Sequence, residues 1–196
     1  LTASRSALTP LCADLEQLPL RRESLDMVWS SLTLQWVDLP RAFAEVNRVL
    51  KPGGLFLFAT LGPDTLQELR ASSAGLDRHA HVNRFTDMHD VGDALMQAGF
   101  ANPVMEMERI TLTYEDLRGV LGDIKGIGGQ TVLEGRRGGL MGKAAWAALT
   151  RNYEAFRQEG RLPATYEVVY GHAWAGRQEK LADGRQIIEF RKRPAP

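Results

Sequence analysis

The sequence has 196 residues, 44% of them hydrophobic and 24% charged, and its 24 basic residues balance its 24 acidic ones. This composition is typical of one globular domain with a full-sized core. A zero net charge argues against nucleic acid as a partner, and no apolar run approaches the roughly 18 residues of a membrane span. The single cysteine, Cys12, fits a reducing cytoplasm, so we expect a cytoplasmic protein with neither a membrane nor a nucleic-acid partner.

Two short apolar runs near the start of the chain have the character of strands. The first, LCAD (11–14), ends in an acidic residue, and the second, LDMVWSSL (25–32), ends in polar Ser30 and Ser31. The carboxyl ends of parallel strands share one edge of a sheet, where doubly wound folds bind their ligands. Asp14, Ser30 and Ser31 are therefore candidate ligand contacts, although each also fits an ordinary turn or cap residue.

A helix and a buried strand follow. Asp38 and Pro40 occupy the N-cap and first turn of a helix, whose apolar face holds Phe43, Val46, Val49 and Leu50. Lys-Pro-Gly-Gly (51–54) ends this helix. The run LFLFATL (55–61) is continuously apolar, as in a strand of a parallel sheet. The pattern predicts a βαβ unit with a right-handed crossover.

The middle of the chain alternates between helical and extended patterns. A helix is predicted over 64–72, and residues 73–85 lack a clear period, which indicates a loop or lid. Thr86 or Asp87 caps a further helix with Val91, Leu95 and Ala98 on one face. Residues 103–114 alternate like a strand, and a change of phase near Arg109 indicates a bulge.

A helical insert at about 114–160 precedes the last predicted strand. Thr113 and Asp116 resemble a capping box, and Leu117, Val120, Leu121 and Ile124 follow at helical spacing. A Gly-rich stretch (125–142) leads to a helix over 142–158, whose core face holds Trp146, Leu149, Tyr153 and Phe156. Residues 165–174 read as a strand. We expect a partial domain over 1–176 and a hairpin or tail over 177–196.

The remaining motifs give only weak evidence for a phosphate-binding or metal-binding site. The glycines at 53–54 and 126–129 follow helices rather than strands, which argues against a nucleotide-phosphate loop. His79, His81 and His89 could form a metal site, but their segment fits loop histidines better, so we expect no metal. Basic side chains remain. Arg84 and Lys125 are candidates to hold a carboxylate or phosphate, with solvated surface charge as the alternative.

Several segments together resemble a known family. The stretch from CADLEQLPL to SLDMVWSSLTLQWVDLPRAFAEVNRVLKPGGLFLF is similar to the second half of a class I S-adenosylmethionine-dependent methyltransferase. TLGPDTLQEL, HVNRFTDMHDVGDAL, KGIG and LPATYEVVYGHAW are similar to the malonyl-acyl-carrier-protein O-methyltransferases of biotin synthesis, up to about residue 175. A respiratory-complex assembly factor of the same fold shares an LPATY-type region and is the nearest alternative, with a non-catalytic interaction module as a third.

The resemblance implies an α/β fold, namely a Rossmann-like, mostly parallel sheet, with a helical insert before the last strand. It implies methyl transfer from S-adenosyl-L-methionine to the free carboxylate of malonyl-acyl carrier protein by a monomer. Cofactor contacts are expected at Asp14, Leu15, Ser30, Ser31 and Leu32, and substrate contacts at Arg84 and Lys125. The carboxylate is already an anion, so no residue is assigned as a catalytic base.

The resemblance also implies a docking surface for acyl carrier protein and the absence of the family's first two strands. Acyl carrier protein is acidic, and the basic residues in or beside the insert, Arg136, Arg137, Lys143, Arg151, Arg157 and Arg161, are candidates for its docking patch. The family's first two strands and its glycine-rich cofactor loop have no counterpart after Leu1. We therefore expect the chain to be a fragment that binds the cofactor weakly and exposes the edge of the strand at 25–32.

Overall fold

The computed structural model describes residues 9–76, 81–126 and 142–176. Its strands are β1 (Leu25–Ser31), β2 (Leu50–Leu61), β3 (Phe100–Tyr114) and β4 (Leu162–Ala175). Its helices are α1 (Leu39–Val49), α2 (Gln67–Ser73), α3 (Met88–Gln97), α4 (Leu117–Gly126) and α5 (Lys143–Glu154), with a short 3-10 helix at Leu34–Trp36. In these described ranges, no helix is both long and apolar enough to cross a membrane.

The described strands form one sheet in the order β1-β2-β4-β3. β1 pairs with β2 in parallel, whereas β4 runs antiparallel to both β2 and β3. The predicted α/β class and the helical insert before the last strand are confirmed. The expectation of a mostly parallel sheet does not describe these strands, because one of their three pairings is parallel. The reason is that β4 returns between β2 and β3 and meets both from the opposite direction.

The predicted βαβ unit is confirmed with its cap. Asp38 is the N-cap of α1, its carboxylate accepts a hydrogen bond from the Arg41 backbone N–H at 3.0 Å, and Pro40 lies in the first turn. Phe43 and Val46 are fully buried on the face toward the sheet. Burying each such side chain stabilises the fold by about 1.5–3 kcal/mol, which explains why the unit could be predicted from spacing.

The Lys-Pro-Gly-Gly segment forms a bulge at the start of β2. Leu25 pairs with Leu50 and Met27 pairs with Leu55, so residues 51–54 bow out of the ladder. Gly53 has φ of 78°, and a Cβ on Gly54 would lie 2.9 Å from the Lys51 carbonyl oxygen. The helix therefore ends at Val49, before the proline, and the two glycines make the bulge possible.

One face of the sheet packs against α1 and α3. Phe56 and Phe58 of β2 meet Phe43 of α1, with ring centroids 5.8 and 6.1 Å apart. Val91 and Leu95 of α3 are fully buried in the same cluster. Asp87 caps α3, since its carboxylate accepts from the His89 backbone N–H at 2.8 Å. The predicted α3 and its stripe are confirmed.

The other face carries the insert over the first half of β4. Leu149 and Tyr153 of α5 are buried against β4, where Leu162 and Ala164 have no exposed surface. The Tyr153 hydroxyl donates to the Pro163 carbonyl oxygen at 2.9 Å. The predicted core role of the α5 stripe is confirmed.

Two local predictions were wrong in position. The irregularity in β3 lies between Ala101 and Val104, where Asn102 has φ of 49°, and Arg109 pairs with Glu167 in unbroken register. Asp116 alone caps α4 by accepting from the Gly119 backbone N–H at 2.9 Å. Thr113, the other half of the predicted capping box, lies in β3 and accepts from Arg161 Nε at 3.0 Å.

The segment LCAD does not form a strand. Residues 9–13 have no regular structure, and Asp14 forms an isolated bridge with Gln17. An apolar run of four residues becomes a strand only beside a partner, and here β1 pairs with β2 alone among the described strands. The predicted hairpin near residues 183–184 and the Gly-rich stretch from residue 127 to 141 lie outside the described residues.

Candidate functional site

A cavity of about 530 Å³ opens at the carboxyl ends of β1 and β2. Leu32, directly after β1, and Leu61, the last residue of β2, both line it. The two strands are parallel, so their carboxyl ends meet at one edge of the sheet. This edge is where open α/β sheets bind ligands, and the large cavity lies there.

The loop after β1 is held in an uncommon backbone conformation. Leu32 has φ of 49°; its N–H donates to the Ala59 carbonyl at 2.8 Å, and its carbonyl accepts from Gln35 Nε2 at 2.6 Å. Leu66, which also lines the cavity, has φ of 55°. Leucine rarely adopts this region, and such strained residues concentrate at functional sites.

The predicted residues at the end of β1 occupy different environments. Leu32 lines the cavity, whereas Ser31 is exposed beside it. Ser30 is buried, and its hydroxyl oxygen has no hydrogen-bond partner. A buried hydroxyl without a partner is unusual. It leaves a polar group next to the strand end that a polar ligand could use.

The predicted residues near Asp14 do not line the cavity. Asp14 is exposed, and its carboxylate accepts from the Glu16 backbone N–H at 2.9 Å in a tight turn. Leu15 packs against the cluster under α1. The turn-residue alternative for Asp14 therefore describes its local structure.

The floor of the cavity is the sheet face formed by β3 and the first half of β4. Tyr166 pairs with Ile110, and both side chains line the cavity together with Tyr114 and Val168. The Tyr114 hydroxyl donates to Asp123 of α4 at 3.0 Å. Burial and this hydrogen bond raise the pKa of Tyr114 to about 12, and burial also raises the pKa of Tyr166. Both hydroxyls are thus neutral hydrogen-bonding groups over the ordinary pH range.

The position of Tyr166 is fixed by the residues on either side of it. The first half of β4 extends beyond the end of β2, and residues 62–68 cover its free edge. The Thr165 backbone N–H donates to the buried Glu68 carboxylate at 3.0 Å, and the Glu167 N–H donates to Thr65 Oγ1 at 3.1 Å. Glu167 in turn accepts from the Asp64 backbone N–H at 2.7 Å. These buried carboxylates satisfy backbone donors that the sheet leaves unpaired.

The cations predicted to hold the substrate lie beside the cavity rather than in its wall. Arg84 is exposed and borders a smaller neighbouring cavity of about 120 Å³. Lys125 is exposed in the last turn of α4. Their neighbours in sequence, Asn83 and Phe85 for Arg84 and Ile124 for Lys125, do line the large cavity.

The structure adds site residues that the sequence did not single out. Tyr114, Tyr166 and Asn83 line the cavity, and the Oδ1 atom of Asn83 is buried without a partner. The alternation of polar and apolar residues in β3 and β4 was visible, but not the pairing that brings the two tyrosines together. Among the described residues no group of histidine, cysteine and carboxylate side chains forms a metal site, and His79 lies outside them.

Comparison with known proteins identifies the fold. A protein of Bacillus halodurans C-125 described as a methyltransferase superposes with a TM-score of 0.53 at 16% identity, covering 84% of this chain and 70% of that one. The YcgJ protein of Bacillus subtilis gives 0.54 at 13% identity, covering 84% and 69%. The chain has the class I methyltransferase fold. A family model described as a methyltransferase domain also matches residues 2–58.

Curated relatives match at much higher identity. The chain is 61% identical over 181 residues to a malonyl-[acyl-carrier protein] O-methyltransferase of Gallionella capsiferriformans and 60% identical over 184 residues to one of Laribacter hongkongensis. Each match covers 92% of this chain and 62% of the relative. The resemblance predicted from the sequence is confirmed, and the chain spans 62% of the length of these relatives.

Proposed function

We propose that this chain belongs to an enzyme that transfers a methyl group from S-adenosylmethionine to the free carboxylate of malonyl-acyl carrier protein, the step that opens biotin synthesis. The proposal depends mainly on 61% identity over 92% of the chain to a protein of that name. A strand-end cavity in a methyltransferase fold supports it. The respiratory assembly factor and the non-catalytic module have no comparable observation in their favour.

The residues at the end of β1 fit a cofactor contact. The unpartnered Ser30 hydroxyl and the strained backbone at Leu32 lie at the edge where this fold binds ligands. When bound, S-adenosylmethionine supplies an electrophilic methyl group on a sulfonium. Ser30, Ser31 and Leu32 would contact it, while Leu15 would support the loop from the core. Asp14 stays a prediction for the adenine amino group.

The proposed reaction requires the protein to align the reacting groups rather than to transfer a proton. The malonyl carboxylate is ionised at neutral pH and needs no general base. The apolar side chains of Leu61, Leu66, Leu69 and Ile110 line the cavity and would exclude water from the reacting groups. Holding the carboxylate in line with the methyl group then accounts for most of the expected acceleration.

Methyl transfer can be tested with the protein at the full length of its relatives. With S-adenosylmethionine labelled in its methyl group, we expect the label to appear on malonyl-carrier protein as a base-labile ester. Acetyl-carrier protein, which lacks the carboxylate, serves as the control and should remain unlabelled. Label on another acyl thioester but none on malonyl-carrier protein would show that the substrate is different.

Arg84 and Lys125 remain proposed substrate contacts at the mouth of the cavity. Both side chains are exposed, so their attraction for an anion should be screened by salt. We expect Arg84→Ala and Lys125→Ala each to raise KM for malonyl-carrier protein roughly 3-fold at low ionic strength, as for an exposed charge pair. At about 1 M salt the difference should vanish. An effect on kcat that persists at high salt would place these cations at the reacting carboxylate.

The acidic carrier protein is proposed to dock on the insert. Lys143 and Arg151 are exposed on α5, whereas Arg157 pairs with Glu154 at 2.7 Å and Arg161 donates to the Thr113 carbonyl at 2.8 Å. The first two are therefore the freer candidates. Arg136 and Arg137 lie outside the described residues.

Charge reversal separates docking from overall electrostatics. We expect Lys143→Glu with Arg151→Glu to weaken carrier-protein binding and reduce its salt dependence, because rim charges act mainly on association. Arg21→Glu with Arg22→Glu, two exposed changes near the amino end of β1 that alter the net charge equally, is the matched control and should have little effect. Equal losses in both variants would mean that only the net charge matters.

A further inference from the structure

The described wall of the large cavity offers the substrate few charged groups. Neither lysine nor arginine is among the described residues that line it, and Asp123 contributes a negative charge. A malonyl carboxylate that leaves water still requires hydrogen-bond donors, since an unpaired buried charge is very costly. The donors in this wall are therefore neutral side chains and the imidazole of His81.

Several of these neutral donors are already engaged within the protein. Gln35 Nε2 donates to the Leu32 carbonyl at 2.6 Å, and Thr65 Oγ1 donates to the Glu167 carbonyl at 3.2 Å. Tyr114 donates to Asp123 at 3.0 Å. Tyr166 of β4 lines the same cavity as Tyr114 of the paired strand β3. Because a hydroxyl hydrogen rotates about its C–O bond, Tyr166 can turn its O–H toward a ligand.

Buried hydrogen bonds hold the backbone on either side of Tyr166. Its neighbours Thr165 and Glu167 are buried and hydrogen-bonded to Glu68 and Thr65. Its partner across the strands, Ile110, lies in unbroken register. A donor on such a support keeps its direction, as positioning of a reacting group requires.

We propose that the Tyr166 hydroxyl binds the malonyl carboxylate inside the cavity and orients it for methyl transfer, while Tyr114 remains hydrogen-bonded to Asp123. This inference rests on the proposed function and assigns a positioning residue to it. Arg84 and Lys125 then act outside the cavity, where they attract the anionic substrate as it approaches.

A neutral donor suits the charge changes of the reaction. One carboxylate oxygen forms a bond to the methyl carbon, the carbon–sulfur bond breaks, and its electron pair stays on sulfur, so that no proton moves. The carboxylate loses its charge in this step. A cation bound to it would stabilise the starting anion more than the transition state, which slows the reaction. Tyr166 is assigned to the oxygen that does not attack, which becomes the ester carbonyl and still accepts a hydrogen bond.

The test compares two ligands that differ only in the carboxylate. In the protein at the full length of its relatives, we measure KM for malonyl-carrier protein and the inhibition constant of acetyl-carrier protein. Tyr166→Phe should raise KM about 10-fold, the loss of one hydrogen bond to a charged group, and leave the acetyl inhibition constant unchanged. Neither constant depends on the fraction of folded enzyme, so partial misfolding does not imitate the result.

Two matched variants complete the test. Tyr170→Phe removes a hydroxyl from the same strand and face, four residues away and outside the cavity wall, and should change neither constant. Tyr114→Phe should raise KM about 3-fold at most, as for a neutral neighbour. An unchanged KM in Tyr166→Phe, or an equal rise in the acetyl constant, overturns the assignment. If the wild type methylates no malonyl thioester, the proposed function fails instead.

Discussion

The two halves of one sheet face differ in what covers them. Along β4, Leu162 and Ala164 lie under α5 with no exposed surface, whereas Trp174 at the other end is 37% exposed. Further along the sheet the contrast grows, because Met27 is 54% exposed and Trp29 is 73% exposed on β1. The same alternation of side chains runs through both halves. Whether an apolar position becomes core therefore depends on the helices above it.

The cavity lies at the border between these halves. Helices α4 and α5 of the insert bury the start of β4, and Gly126 at the end of α4 lines the cavity. Beyond it, Leu57 pairs with both Trp29 and His172 on the open half. An apolar surface of this kind usually marks a contact with other protein or another part of a chain. The exposed edge predicted for the strand at 25–32 is found, since β1 pairs only with β2 among the described strands.

The largest effect should come from removing the anchor of the covered half. Tyr153 is fully buried between α5 and β4, and Tyr153→Ala leaves a cavity and removes the hydrogen bond to the Pro163 carbonyl. We expect a loss of about 3–5 kcal/mol in the free energy of unfolding, as for other large aromatic residues in cores. Denaturant unfolding measures it.

Trp29→Ala is the control from the open half. Its side chain is larger but mostly exposed, so the variant should lie within about 0.5 kcal/mol of wild type. A loss as large as that of Tyr153→Ala would show that the open half is covered in solution. The contrast between the covered and open halves of the sheet face would then be wrong.

A second, smaller effect should appear in self-association. The free edge of β1 and its apolar side chains invite pairing between molecules. We expect this chain to associate at micromolar concentrations and Trp29→Lys to raise the dissociation constant about 10-fold, as for one central aromatic contact. Trp36→Lys, a change in the cavity wall, should leave the dissociation constant unchanged. Sedimentation that shows a monomer for the wild-type chain would contradict the expectation.

Local sequence patterns predict the helices, whose backbone hydrogen bonds and caps come from residues close together in the chain. The helix from Asp38 to Val49 and the helix after Asp87 each have a cap and an apolar stripe close together in sequence. Tyr153 was assigned to the core from spacing alone, and the structure agrees. Short-range signals of this kind do not depend on the rest of the fold.

The site itself depends on distant pairs and could not be predicted so well. Glu68 and Thr165 are 97 residues apart, and their hydrogen bond helps to fix Tyr166. Charge alone points to the exposed cations Arg84 and Lys125, because no local pattern reveals the cavity wall. The sequence places Asp14 at the end of a strand, which the described structure lacks. Strand pairing decides such positions, and one sequence does not show the pairing.

The smallest predicted effect concerns the hydroxyl of the same anchor. Tyr153→Phe keeps the ring and removes only the hydrogen bond to Pro163, so we expect a loss of about 1 kcal/mol in the free energy of unfolding at neutral pH. The pH dependence gives a sharper result. Burial, followed by the charge of Glu68, raises the pKa of Tyr153 in the folded state, whereas an unfolded tyrosine ionises near pH 10, about its ordinary value.

Above about pH 10 the unfolded chain therefore holds fewer protons than the folded one, and stability falls as pH rises. In Tyr153→Phe the free energy of unfolding should fall less steeply with pH, by a slope equivalent to at most one proton. The plots of unfolding free energy against pH for the variant and the wild type should therefore converge at alkaline pH. Tyr170→Phe on the open half removes a more exposed hydroxyl, whose pKa is also raised by partial burial and by the Glu108 carboxylate, and should change the slope less. Parallel curves for Tyr153→Phe and wild type between about pH 10 and 11 would mean that water reaches the Tyr153 hydroxyl and that the covered half opens readily.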